Sequence, residues 1–487
     1  MTAEDRAVIP AATTRPANRV SPLLEKHLEE IAAHYSGPED KRPAGRQYRA
    51  ILARYFNMRL PQDASVFEIG CGAGELLELI HARKVSGCDI SAVQVERTAR
   101  RLPHGTFYHQ PGECLDVPGT YDVILLSDTI NYAGDVQEIL NQARKLAAPH
   151  TRLVMSFPSA MWRPVYSLAT TLGLRARHPQ ANWIGIDDAR NFLNLSGWSI
   201  VEIEPKVLLP LQIPVVEPLL NRFLAPLLGF LCHTVICTAR PKVSMENCSR
   251  RVSVVVPARN EAGNIEAAVT RTPMMGDSME LIFVEGNSTD DTWEEIQRVK
   301  AAYPDREIQI MQQPGKGKGD AVRCGFAAAT GDILMILDAD LTMPPEELPK
   351  FYEALVSGHA EFANGVRLVY PMEKEAMRFL NLCANKFFSV AFSWLLAQPV
   401  KDTLCGTKVL WKEDYERIAA NRCYFGDFDP FGDFDLLFGA DRLGLQIVDI
   451  PIRYRDRTYG STNISRWSHG ALLFRMLAFA AGKLKFV

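Results

Sequence analysis

ILMILDADLT, residues 333–342, runs five apolar residues straight into Asp338-Ala339-Asp340. Such a run reads as a buried strand, and the two acids emerge where it ends. Carboxylates so placed suit a hard divalent cation, which neutralises a diphosphate as it departs. Acids at strand ends are common in loops, so the pair gains its meaning from what precedes it. VVVPARNEAGNI (254–265), VEGNSTDDT (284–292) and GKGKGDAVRCGFAAATGD (315–332) come first in the chain. Strand-like runs at 252–256, 280–284, 308–311 and 333–337 are each followed by a helical segment or polar loop. That alternation predicts a parallel sheet covered by helices.

The same alternation occurs earlier, with strand-like runs at 66–69, 85–88, 106–108, 121–126 and 152–156. There FEIGCGAGELLELI (67–80) places Gly70, Gly72 and Gly74 after a strand and before a helix. Glycine permits the sharp turn and close ligand approach, and the helix N-terminus adds partial positive charge. The next strand ends in Asp89, at the carboxyl edge where an acid binds ribose hydroxyls. In LSDTINY (126–132), Asp128 and Asn131 either line an acceptor or cap the helix starting near Val136; the sequence leaves both readings open. The polar, basic ARPKVSMENCSRR separates the two series. The expected division is a tail and helical lead-in at 1–45, a first domain at 46–240, a linker at 241–250 and a second domain at 251–487. The halves share an architecture class, an α/β fold, but no internal repeat.

At 487 residues the chain exceeds what one core usually serves, and 47% hydrophobic with 23% charged residues is an ordinary globular balance. A net charge of -3 argues against a nucleic-acid partner. The ten cysteines form no CxxC pair, and the N-terminus lacks a secretory apolar core, which together predict a cytoplasmic location. Phe223 to Ala239 is apolar but interrupted by Pro226, and reads as a helix followed by a buried strand. GALLFRMLAFAAGKLKFV (470–487) fits an interfacial helix making peripheral contact with the cytoplasmic membrane face, or a helix packed on its own domain.

EIGCGAG followed by GCDIS resembles class I S-adenosylmethionine-dependent methyltransferases, over roughly Arg46 to Arg240. The resemblance implies that Glu68 and the loop of Gly70, Gly72 and Gly74 hold the methionine portion and Asp89 the ribose. An acid after the third strand often meets the adenine in that family. Here HQPGECLDVPGTYD carries Pro111 at one usual acidic position, which leaves Glu113 as the candidate. Transfer from a sulfonium needs little beyond in-line placement, so a base is not required.

The ordered series from Val252 to Ser465 resembles family 2 glycosyltransferases of the GT-A fold, most of all the dolichyl-phosphate mannosyltransferase group. It implies that Pro257, Ala258, Asn260 and Glu261 lie along the nucleotide. Glu285 takes the place of the first aspartate of VDDGS, with Gly286 in place of the second. Lys318 and Asp320 fall in the GKGxA motif, and Asp338 and Asp340, flanking Ala339, become the metal pair for Mg2+ or Mn2+. DTLCGTKVL (402–410) resembles the acceptor-side loop, beginning at Asp402. Arg457 matches a phosphate-binding arginine, and Asn463 replaces the motif's lysine. Asp435 aligns with the acid of the E-L-L segment, and Asp433 stands two residues earlier. Two acids so spaced share a face on a strand but not on a helix, and Asp435 is the one backed as catalytic, alongside Asp340.

Taken together, the two resemblances imply two Rossmann-like domains and a bifunctional enzyme. The second domain would transfer a hexose, with inversion, from a nucleoside-diphosphate sugar to a polyprenyl phosphate or to a glycan or glycolipid. The first would use S-adenosylmethionine to methylate in the same pathway. A non-catalytic cofactor-binding first domain, or a nucleotide-binding scaffold, stays open as the alternative.

Overall fold

The computed structural model describes residues 22–37, 43–61, 63–172, 181–242, 250–367, 369, 379–421, 433–455, 457, 459 and 466–486. The chain divides into two compact units, Met1–Lys242 with Lys485–Val487, and Val243–Leu484.

In the first unit the strands are β1 (Ser65–Ile69), β2 (Lys84–Asp89), β3 (Thr106–His109), β4 (Tyr121–Ser127), β5 (Ala147–Pro158), β6 (Trp198–Val207) and β7 (Thr234–Pro241). Among the described residues they form one sheet in the order β3-β2-β1-β4-β5-β7-β6. The first five pair in parallel, and β7 runs antiparallel between β5 and β6. Alternation along each strand builds two core layers. Phe67, Ile69, Ile124 and Leu126 pack with Val136, Ile139 and Leu140 on one face. On the other, Val66, Val123 and Leu125 pack with Ile51, Leu52 and Phe56 of the helix Pro43–Asn57. Burial of both faces is why residues 123–126 read as an unbroken apolar run. The helix Pro43–Asn57 crosses the expected boundary at 45/46 and contributes core side chains.

The apolar stretch 223–239 ends in a fully buried strand, β7, preceded by the helical segment Pro218–Leu224 and a short turn. No described helix is long and apolar enough to cross a membrane.

In the second unit the strands are β8 (Arg251–Ala258), β9 (Ser278–Glu285), β10 (Glu307–Gln312), β11 (Ile333–Ile336), β12 (Phe362–Val366), β13 (Lys408–Trp411) and β14 (Ile447–Pro451). Their order is β10-β9-β8-β11-β13-β12-β14. The strands β8 to β11 pair in parallel, β13 is antiparallel to both neighbours, and β14 is parallel to β12. The strand order turns back at β8 and at β1, so each sheet has a topological switch point where ligands settle at the carboxyl ends. The helix Lys318–Ala328 lies against β8 through Gly325, where an added Cβ would stand 2.3 Å from Val255 Cγ1. Gly325→Ala should therefore destabilise the protein by about 1–3 kcal/mol through overpacking. Gly482→Ala, with nothing within 4 Å of the new carbon, should not. Chemical denaturation of both variants tests the difference.

Candidate functional sites at the two sheet edges

The glycine loop of the first unit leaves β1 with Gly70, Gly72 and Gly74 at φ 77°, 52° and 73°. An added Cβ would strike Thr129 at Gly70 and Thr98 at Gly74, but would meet nothing within 4 Å at Gly72. Gly72 thus faces open space. Asp89, at the end of β2, accepts from the Gly72 amide at 2.9 Å and the Ser91 amide at 2.8 Å, tying the loop to the next helix. On the adjacent strand β1, Glu68 is 2% exposed, and its Oε2 has no hydrogen-bond partner among the described residues. Burial pushes the Glu68 carboxyl up to about 8, against the opposing pull of Arg49. An orphaned buried carboxylate oxygen beside an open glycine is a cradle for a cationic group on a ligand.

Glu113 is buried and accepts from the Gly134 amide at 2.9 Å, so it holds the turn before the helix Val136–Lys145. That helix is capped by Asp135, which accepts from Glu138 N at 3.0 Å. Asp128 and Asn131 are therefore not its caps. Asn131 instead donates to Asn182 O at 2.8 Å, and Asp128, at φ 56°, turns back toward β5 to accept from Ser156 Oγ at 2.9 Å. The lead-in helix Pro22–Tyr35 also reaches this edge: Tyr35 O accepts from Gln94 Nε2 at 2.6 Å, and Ser36 Oγ meets Ser91 Oγ at 3.0 Å. Nothing in the lead-in marked it for that role.

At the corresponding edge of the second sheet, four loops leave the carboxyl ends of β8, β9, β10 and β11. Pro257 and Ala258 finish β8, and Asn260 follows at φ 57°, its Oδ1 accepting from Thr289 N at 2.8 Å. Glu285 closes β9, 2% exposed, accepting from Ser288 N at 2.5 Å and Gln312 Nε2 at 3.2 Å. Asp320 accepts from Gly315 N at 2.9 Å and so closes the glycine-rich turn after β10. Ala339 is buried between Asp338 and Asp340, which turns the two acids outward.

Each acid of that pair carries a cation. Lys318 Nζ lies 2.6 Å from Asp338 Oδ1. Arg457 donates to Asp340 Oδ2 at 2.6 Å and to Glu261 Oε1 at 2.8 Å, bridging β8 and β11 loops. Three carboxylates, Glu261, Asp338 and Asp340, thus face two cations, leaving one formal negative charge. Burial and the nearby Asp340 push the Glu261 carboxyl up, while Arg457 and Asn264 pull it down. Gly406 packs against this cluster: an added Cβ would come 2.0 Å from Asp338 Oδ2 and 2.1 Å from Lys318 Nζ. The sequence alone does not single out Gly406, because a glycine between Cys405 and Thr407 carries no chemistry of its own. Among the described residues no three His, Cys, Asp or Glu converge as metal ligands. Asp338 and Asp340 supply a two-carboxylate edge, the kind on which magnesium takes its remaining ligands from water and phosphate.

Asp402, placed on the acceptor side by resemblance, is 1% exposed, and both its oxygens are taken by Arg367 at 2.7 and 2.9 Å. It braces β12 rather than presenting a carboxylate. Asp433 opens the helix Asp433–Arg442 and Asp435 is buried within its first turn, so on this helix the two do not share a face. Asn463 lies outside the described residues.

The Glu68 proton has a measurable consequence. In the fold the group holds it up to about pH 8, whereas an unfolded chain releases it in the ordinary carboxylate range. Between those values the folded state binds more protons, so stability falls as pH rises through that window. Glu68→Gln should flatten this slope; melting temperatures of both proteins from pH 5 to 8 that fall in parallel would contradict it.

Residues 40–203 match the family model for a methyltransferase domain, and residues 253–416 match that for glycosyl transferase family 2. The dolichol-phosphate mannosyltransferase of Pyrococcus furiosus is 31% identical over 44% of this chain and 59% of its own length. An undecaprenyl-phosphate 4-deoxy-4-formamido-L-arabinose transferase of Aeromonas hydrophila is 33% identical over 22% of this chain and 34% of its own length. This chain thus spans less than two thirds of either relative. A solved S-adenosylmethionine-dependent methyltransferase from Thermotoga maritima is 14% identical, with a TM-score of 0.33 over 45% of this chain and 99% of that one. The parallel series of the first sheet thus lies in the segment that matches a methyltransferase domain, and that of the second in the segment that matches glycosyl transferase family 2.

Proposed function

We propose that the second domain transfers a hexose from a nucleoside-diphosphate sugar to a polyprenyl phosphate, or to a glycan or glycolipid. The observation that carries this reading is the cluster of Asp338, Lys318, Asp340, Arg457 and Glu261 at the switch point. A diphosphate is the ligand such a cluster suits: Lys318 and Arg457 match its charge, and Asp338 and Asp340 would hold the Mg2+ or Mn2+ that neutralises the leaving group. The two relatives are named for dolichol phosphate and undecaprenyl phosphate, which supports a lipid phosphate as acceptor. A phosphate oxygen is anionic near neutral pH and attacks without a strong base, whereas a sugar hydroxyl needs a carboxylate such as Asp435 to take its proton.

The first domain, on the same proposal, binds S-adenosylmethionine and methylates in the same glycan or glycolipid pathway. Glu68 Oε2 suits the cofactor's ammonium, the open edge of Gly72 its close approach, and Asp89 its ribose. When bound, the cofactor supplies an electrophilic methyl group; Glu68 and Asp89 anchor and orient it.

Substitution separates the roles. Asp340→Asn should lower metal-dependent sugar transfer at least about 100-fold, as expected for losing stabilisation of a leaving diphosphate; unchanged turnover would remove the metal assignment. Full activity in Asp435→Asn would favour the phosphate acceptor, and its loss a hydroxyl.

Phe387 and Val390 on the helix Phe379–Leu396, and Phe474 on the helix Arg466–Leu484, are exposed, with the rings of Phe387 and Phe474 5.5 Å apart. These apolar side chains support peripheral contact with the membrane that holds such a lipid. The protein should then float with phospholipid vesicles, and Phe387→Ser with Phe474→Ser should weaken flotation. Absence of co-flotation would favour a soluble acceptor.

A further inference from the structure

Beside the glycine loop of the first domain runs a chain of polar side chains that cofactor binding does not use. Asp128, immediately after β4, accepts at Oδ1 from Ser156 Oγ at 2.9 Å and from Tyr48 OH at 3.4 Å. Tyr48 OH also bonds Thr234 Oγ1 at 2.9 Å. Thr234 Oγ1 bonds His233 Nδ1 at 2.7 Å, and His233 Nε2 bonds the hydroxyl of Tyr166. All six residues belong to the edge where methyl transfer would occur. Thr129, next to Asp128, fills the space over Gly70, and Thr234 pairs with Pro158 at the carboxyl end of β5.

The direction of every bond follows from one end. A carboxylate oxygen only accepts, so the single hydrogen of Tyr48 goes to Asp128. The Tyr48–Thr234 bond must then use the Thr234 hydrogen, which obliges His233 Nδ1 to donate to Thr234. In a neutral imidazole that leaves Nε2 as the acceptor, and Tyr166 donates into it. The rings of Tyr48, Trp162 and Tyr166 enclose the imidazole at 5.6, 5.4 and 5.5 Å, all edge-on, which fixes its plane. His233 is 4% exposed, whereas Tyr166 and Trp162 are only part-buried. The relay therefore begins at a fixed carboxylate beside the glycine loop and ends at the hydroxyl of part-buried Tyr166. Asp128 holds a left-handed backbone conformation, at φ 56°, that turns it back toward this chain.

We infer that Tyr166 and His233 form the base of an O-methyl transfer, and that the acceptor of the first domain is an alcohol. This rests on the reading of that domain as a methyltransferase. A carboxylate or a thiolate attacks a sulfonium as the anion, and an amine sheds its proton apart from the bond-forming step; an alcohol must shed one as its oxygen bonds carbon, so it is the acceptor that gains most from a base held beside it. Tyr166 Oη takes the hydroxyl proton of the acceptor while passing its own to His233 Nε2. The acceptor oxygen gains the methyl group, and the electron pair of the broken carbon–sulfur bond stays on sulfur. His233 then returns the proton to water. Asp128, Tyr48 and Thr234 are positioning residues that hold the imidazole in the Nδ1–H form and stabilise its charged state. The sequence alone allows the base to be absent and leaves Asp128 as an acceptor-lining or capping residue.

The test needs no cofactor turnover. In the full-length protein labelled with 15N-histidine, His233, assigned by the signal lost in His233→Asn, should show the Nδ1–H tautomer with Nε2 unprotonated. Tyr48→Phe cuts the chain at its centre and should shift His233 toward the Nε2–H tautomer, with little change in melting temperature. An Nε2–H tautomer in the wild type, or one unmoved by Tyr48→Phe, would overturn the relay. Calorimetric titration with S-adenosylmethionine, on wild type and Tyr166→Phe, reports the underlying reading separately. Equal affinity in the two is expected; no binding to either would remove the methyltransferase reading while leaving the tautomer result standing. With binding intact, methyl transfer to alcohol probes such as methyl glycosides should fall about 100-fold or more in Tyr166→Phe. An unchanged rate would remove Tyr166 as the proton acceptor.

Discussion

Parallel strand pairing is the constraint on which both domains depend. It forces the carboxyl ends of β1, β2 and β4 onto one edge of the first sheet, and those of β8, β9, β10 and β11 onto one edge of the second. Residues far apart in sequence meet because the parallel strands deliver their following loops to that side. Glu261 and Arg457 share an ion pair in the second domain for that reason; in the first, His233 joins the relay of Asp128 because antiparallel β7 begins at the same edge, Thr234 pairing with Pro158.

Charge is handled differently at the two edges. In the second domain three carboxylates are brought close and offset by Lys318 and Arg457. A buried or half-buried acid without such a partner is costly, and the paired arrangement avoids that cost until a ligand supplies its own charges. In the first domain Glu68 Oε2 has no hydrogen-bond partner among the described residues, and burial pushes its pKa up to about 8 against the pull of Arg49.

Small residues decide how tightly these edges close. Gly406 lets the β13 lead-in lie on the Asp338–Lys318 pair, and Gly263 lies under the Tyr459 ring, 2.6 Å from where a Cβ would stand. Each is needed because a backbone approaches a side chain that arrives from elsewhere in the chain.

Much of this was legible in the sequence. The strand runs, the glycine loop with Asp89, and the DAD turn are local patterns, set by periodicity and by residues that favour sharp turns. They determined two α/β domains and the edges at which chemistry belongs. Only the tertiary structure decided what depends on non-local approach: that Asp402 is spent on Arg367, that Asp135 caps the helix after Asp128, and that Arg457 bridges Glu261 and Asp340. Tyr48, Tyr166 and His233 carried no motif at all, because the feature that gives them a role is a hydrogen-bond chain closed by packing among strand ends and helices distant in sequence. A one-dimensional pattern records which residues favour an edge. Which side chains share a proton there is set by the three-dimensional path of the chain.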